Sequence, residues 1–136
     1  MIQRIQTIWL LLASILIFLC LKLSFFSGTH LPDNLYHQLN GTENLLLMTC
    51  TIALGILALF NIFLYKNRVV QLRLCIAGIL LEAFIIFLYF KETQHFSKGD
   101  YAITAGFHIL IIVAFILAAR GINKDEKLIR DSDRLR

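Results

Sequence analysis

Four long apolar runs occupy most of this 136-residue chain. Each approaches the roughly 20 residues that an α-helix needs to cross the hydrocarbon core of a bilayer. They fall at about residues 5–23, 45–65, 70–90 and 100–119. A water-soluble protein of this length cannot cover four such helices. Hydrophobic residues make up 58% of the chain and charged residues only 16%, so polar surface is too scarce. The expected fold is all-α: an integral membrane four-helix bundle forming a single membrane domain over residues 1–136, with a short amphipathic C-terminal helix in the cytoplasm.

The connections carry their own signals. The first run begins just after Arg4 and leaves through Lys22-Leu-Ser-Phe-Phe26 without a small-x-small cleavage pattern, so it reads as a retained anchor. Residues 24–44 form the longest loop, with turn residues at Gly28, Pro32, Asn34 and Asn40-Gly41. Leu31, Leu35, Tyr36 and Leu39 suggest a short interfacial helix within it, and Asn40 with Glu43 suggests a helix cap. Asn40-Gly-Thr42 also matches the glycosylation triplet, a frequent chance match. In the second run Gly55 and Ala58 offer a face for close helix contact, and Asn61 is expected to bond to a neighbouring helix. Residues 91–99 read as a polar turn, with Ser97 and Asp100 spaced as a capping box for the fourth helix. Ala102, Gly106, Ala114 and Ala118 then form an expected small-residue seam. Gly121 reads as the stop of this span, and Asn123 with Glu126 as the cap of a separate tail helix over about 124–135.

Basic residues divide unevenly between the two sides of the bundle. Arg4, the Lys66–Arg73 connection and the tail from Arg120 hold ten of the 13, whereas Lys22, Lys91 and Lys98 hold three. The positive-inside rule then places both termini in the cytoplasm. The net charge of +4 is thereby assigned to orientation and to contact with the lipid bilayer, not to nucleic acid.

Two ionisable residues lie well inside the last two spans. Glu82 is about 12 Å and His108 about 10 Å from the outer ends of their helices, taking a rise of ~1.5 Å per residue. The turn between these helices is short, so they should be antiparallel neighbours with the two side chains level. An unpaired charge at that depth costs roughly 2.5 kcal/mol or more, so each needs a partner. Thr104, one turn before His108, is expected to complete the polar cluster, and Gly78, one turn before Glu82, to allow close approach. Two readings follow. The pair is a buried structural clamp, or it carries protons or couples an ion across the bilayer.

Other chemistry has no counterpart in the sequence. Cys20, Cys50 and Cys75 lie in apolar runs without a CxxC pair, so they read as small buried residues. Only His108 lies within a span, which excludes a haem held by facing histidines. His30, His37 and His95 fall in or near outer loops at spacings that match no ligand pattern. No catalytic residue, metal or cofactor is expected.

Three segments carry a family resemblance: Met1-Ile-Gln-Arg-Ile-Gln-Thr7, Lys66-Asn-Arg68 with Gln71-Leu-Arg73-Leu-Cys75, and Asp125-Glu-Lys-Leu-Ile-Arg130 with Asp133-Arg-Leu-Arg136. They resemble a family of small four-span inner-membrane proteins of the Bacteroidetes that has no assigned activity. The resemblance implies a bacterial inner membrane. All three segments lie on the expected cytoplasmic face. There Arg4, Arg68, Arg73, Arg130 and Arg134 are expected to interlock with Asp125, Asp131 and Asp133 as a charged platform for a partner. The leading expectation is a non-enzymatic accessory or scaffold protein that binds another membrane protein or a second copy of itself. The alternative is a small proton- or ion-coupled carrier using Glu82 and His108.

Overall fold

The computed structural model describes residues 5–31 and 33–135. Arg4, expected in the charged platform, and the turn residue Pro32 lie outside the described residues, as does Arg136. Four helices account for most of the chain: α1 (Ile5–Cys20), α2 (Leu45–Phe63), α3 (Arg68–Thr93) and α4 (Ala105–Arg134). Three strands lie between them: β1 (Ser24–His30), β2 (Tyr36–Asn40) and β3 (Phe96–Tyr101). The fold is therefore mostly helical but not all-α.

Each helix packs on two neighbours, in the cyclic order α1-α2-α3-α4. Small residues set the close approaches. A Cβ added to Gly55 would fall 2.8 Å from the Phe18 ring, and one added to Gly78 2.8 Å from the Phe115 ring. Ala58, Ala114 and Ala118 are buried. The expected seam on α4 is only half realised, because Gly106 faces open space and Ala102 precedes the helix.

The polarity of the bundle is inverted relative to a soluble protein. Ile8, Leu11 and Ile15 of α1, Phe60 and Phe63 of α2, Leu80 and Phe87 of α3, and Ile109 and Leu110 of α4 are exposed. Gln6, Ser14, Thr51, Asn61, Gln71, Glu82 and His108 are buried. In water this arrangement leaves large apolar patches hydrated, whereas lipid accepts them. By length and composition α2, α3 and α4 can cross a membrane. The described part of α1, 16 residues or about 24 Å, falls short of that length, although its outer face is as apolar.

The strands form one antiparallel sheet in the order β2-β1-β3, which joins the loop after α1 to the loop after α3. The expected interfacial helix is instead strand β2, and the expected polar turn and capping box are β3. An isolated hairpin is marginal, and the third strand supplies partners for the outer edge of β1. Asn34, at φ 50°, makes the left-handed turn between β1 and β2. The register of β1 on β2 shifts between Ser24 and Phe26, and Phe25 and Phe26 are both buried despite being consecutive. Capping also differs from expectation: Asn44, not Asn40, caps α2, and its Oδ1 accepts from the Leu46 amide at 3.0 Å. The Asn44 side-chain amide donates to Glu92 Oε1 at 2.6 Å and ties α2 to the end of α3.

Helix α4 runs unbroken through Gly121 for 30 residues, so there is no separate tail helix. Gly121 serves packing instead: its Cα faces Gln6 of α1, and an added Cβ would lie 3.3 Å from the Gln6 Cβ. Burial of Ile122 in the next position keeps the helix going.

Gly28 and Gly99 face each other across β1 and β3. A Cβ on either would meet the other's Cα at 2.8 Å and clash with backbone of the opposite strand. Gly99→Val is expected to detach β3 and to destabilise the detergent-solubilised protein by about 3 kcal/mol in thermal unfolding. Gly106→Ala, where the methyl meets open space, should leave stability unchanged or slightly raised.

Candidate functional site

The buried stripe of α3 reads Gln71, Cys75, Gly78, Glu82, Ile85 and Tyr89, spaced by alternating steps of three and four. That of α4 includes His108, Ile111, Phe115, Ala118 and Ile122 with the same steps. Two helices with such stripes pack as antiparallel neighbours with the stripes facing. The carboxyl and the imidazole thereby meet: Glu82 Oε1 lies 2.6 Å from His108 Nδ1. The residues are 1% and 3% exposed, so the contact is dry and each group answers the other's need for a partner.

An aromatic lid closes this pair on the sheet side. Phe25 of β1 stacks on Tyr89, with centroids 4.3 Å apart and planes at 19°. Both rings approach the His108 ring edge-on, at 5.5 Å and 5.0 Å. A lateral route is more open. A cleft of about 360 Å³, lined mainly by Phe25, Phe90, Tyr101, Gly106 and Ile109, reaches His108 between α3 and α4. The side chain that would fill it is missing because Gly106 has none. A carboxyl hydrogen-bonded to an imidazole can hold or pass one proton between two atoms, and the cleft brings the His108 ring within reach of the apolar phase.

Thr104 does not belong to this cluster. Its hydroxyl donates to the Ser24 carbonyl, because β1 passes over the start of α4 at that point. The charged platform does not interlock either. Arg73, Arg130, Asp133 and Arg134 are exposed, Arg68 and Asp125 are half-buried, and no ion pair joins them among the described residues. The straight course of α4 is the reason. It carries Arg130 and Arg134 about 15 and 21 Å beyond Arg120, and the residue it presents beside Arg68 at the start of α3 is Ile129.

A second polar cluster lies at the opposite end of the bundle. Asn61 of α2 donates to the Gln71 carbonyl at 3.2 Å, with the Cys75 sulfur also at 3.2 Å. Gln71 Nε2 donates back to the Asn61 carbonyl at 3.0 Å. Asn61 thus bonds to a neighbouring helix as expected. Gln71 was not expected inside, although its place on the stripe four residues before Cys75 is visible in the sequence. Gln6 was also missed. It is 1% exposed, and neither its amide nitrogen nor its oxygen has a partner among the described residues.

In the sheet, His30 and His37 meet across β1 and β2 with ring centroids 5.6 Å apart. Among the described residues no group of three or more His, Cys, Asp or Glu side chains is placed to hold a metal ion.

Apolar helices of spanning length around buried polar side chains mark a small membrane protein. The chain belongs to the DUF4293 family, a domain of unknown function, whose family model matches residues 2–135. No curated protein and no solved structure matches it.

Removing one partner of the pair leaves the other buried and uncompensated. His108→Leu is expected to cost about 3–5 kcal/mol in unfolding of the solubilised protein. Glu82→Leu combined with His108→Leu should cost clearly less than the sum of the single changes. Additive losses would show that the two side chains do not stabilise each other.

Proposed function

We propose that this protein is a non-enzymatic accessory or scaffold component of a membrane complex. In this reading it crosses a bacterial inner membrane four times with both termini in the cytoplasm, and binds another membrane protein or a second copy of itself. The observation that carries the reading is the exposed apolar surface at the end of α4. Ile122 is its last buried residue, and beyond it Leu128, Ile129 and Leu135 are 59%, 50% and 90% exposed. That stretch is a rigid arm of about 20 Å with apolar residues among charges of both signs. Mixed charge around apolar anchors suits a protein surface better than lipid alone. Purification in mild detergent should recover a stoichiometric membrane partner or a dimer, and removal of residues 124–136 should release it while the truncated bundle stays folded. Recovery of monomer alone, unchanged by the truncation, overturns the reading.

A second reading is favoured by the 2.6 Å contact between Glu82 and His108 and by the cleft that reaches the imidazole. It makes the protein a small proton- or ion-coupled carrier. Liposomes containing the protein would then show a pH-driven flux that Glu82→Gln abolishes. Unchanged flux in that variant removes Glu82 from any such role.

A further inference from the structure

The inner ends of α1, α3 and α4 enclose a groove of about 600 Å³. Its composition changes along its length. Trp9 of α1 and Leu117 of α4 line it on one side of Arg68, Arg120 and Lys124, and Leu128 and Ile129 of α4 line it on the other. Leu117 and Arg120 are one turn apart on α4, about 4.5 Å along the axis, so the apolar and cationic parts are continuous. Three cations stand against one carboxylate, Asp125, and no ion pair is formed by any of them among the described residues.

Two side chains in the groove carry buried polar atoms without a hydrogen-bond partner among the described residues. Gln6 lines it while 99% buried, and both of its side-chain polar atoms lack partners among the described residues. Nη1 of Arg68 is buried and likewise unpartnered. Buried donors in that state require an acceptor. A soluble globule would supply one from its own chain. Here the acceptor must also neutralise excess positive charge and tolerate apolar walls.

We propose that this groove is a binding site for one anionic phospholipid, with its phosphate between Arg68, Arg120 and Lys124 and its acyl chains along Trp9 and Leu117. Phosphate oxygens accept from guanidinium forks and ammonium groups. The amide of Gln6 offers both a donor and an acceptor to the glycerol region. Basic pockets between spanning helices at the membrane surface suit anionic headgroups for this reason. The site does not depend on the scaffold or carrier reading, nor on which way the protein faces.

The protein's only tryptophan is Trp9, which makes the proposal directly measurable. The full chain would be reconstituted in phosphatidylcholine vesicles with a minor fraction of brominated phosphatidylglycerol or, in parallel, of brominated phosphatidylcholine. Trp9 fluorescence should be quenched several-fold more strongly by the anionic lipid. Arg68→Gln, Arg120→Gln and Lys124→Gln together should remove that preference, each cation being worth about fivefold in binding. Gln6→Leu should weaken it while leaving thermal stability unchanged or higher. Lys127→Gln, Arg130→Gln and Arg134→Gln remove the same charge outside the groove and should preserve it. Equal quenching by the two lipids overturns the proposal, and so does equal loss in both triple variants, which would mark a general surface attraction. Displacement of the brominated anionic lipid by inorganic phosphate would identify a soluble-anion site and overturn it also.

Discussion

A carboxyl and an imidazole meeting at 2.6 Å inside an apolar bundle set the terms for the rest of this molecule. Neither can stay in a low-dielectric interior without the other, so the rotation of α3 about its axis and that of α4 are fixed together. Gly78 and Phe115 then interlock one turn away, and Tyr89 is turned under Phe25. At the far end of the same stripe, Gln71 and Asn61 fasten α3 to α2 by two reciprocal hydrogen bonds. Lipid provides little hydrophobic force between helices, so polar pairs and small-residue contacts have to supply the specificity that burial supplies in water.

The three-stranded sheet completes this arrangement. Loops that leave α1 and α3 carry backbone donors and acceptors close to the apolar phase, where unpaired groups are costly. Pairing the two loops satisfies those groups in β1 and β3 and lowers Phe25 onto the His108 ring. The hydroxyl of Thr104 and the amide of Ala102 both bond to the β1 segment, so the start of α4 is positioned by the sheet as well as by the bundle. The same construction closes the pair toward the sheet side and leaves the cleft above Gly106 as its opening.

At the other end α4 departs from the bundle. Gly121 lies in close contact with Gln6 of α1, and beyond Ile122 the side chains of α4 are exposed except for the half-buried Asp125. This geometry produces the two surfaces on which function is proposed: the exposed end of α4, and the groove between its root and the ends of α1 and α3. Both arise from continuity of one helix, which a glycine followed by a cap-like Asn123 and Glu126 does not suggest.

Much of the helical part could be read from residues alone. Apolar runs at 45–65 and 70–90 correspond to α2 and α3, because twenty apolar residues in succession have few other ways to satisfy their backbone. Glu82 and His108 were singled out by being ionisable where ions are costly, and their antiparallel placement followed from a short connection. The strands could not be read in this way. Thr29 finds Lys98 across 69 positions, and no local pattern in either loop announces the other. Thr104 was misplaced and Gln6 missed for a related reason: each owes its place to a chain segment far away in sequence. The order of residues by itself determined a membrane-embedded bundle with an acid and an imidazole to reconcile, since hydropathy and the cost of buried charge act locally. Only the tertiary structure decided the sheet, the unbroken fourth helix and the burial of Gln6 at its root, since those depend on which distant backbone and side-chain groups come together.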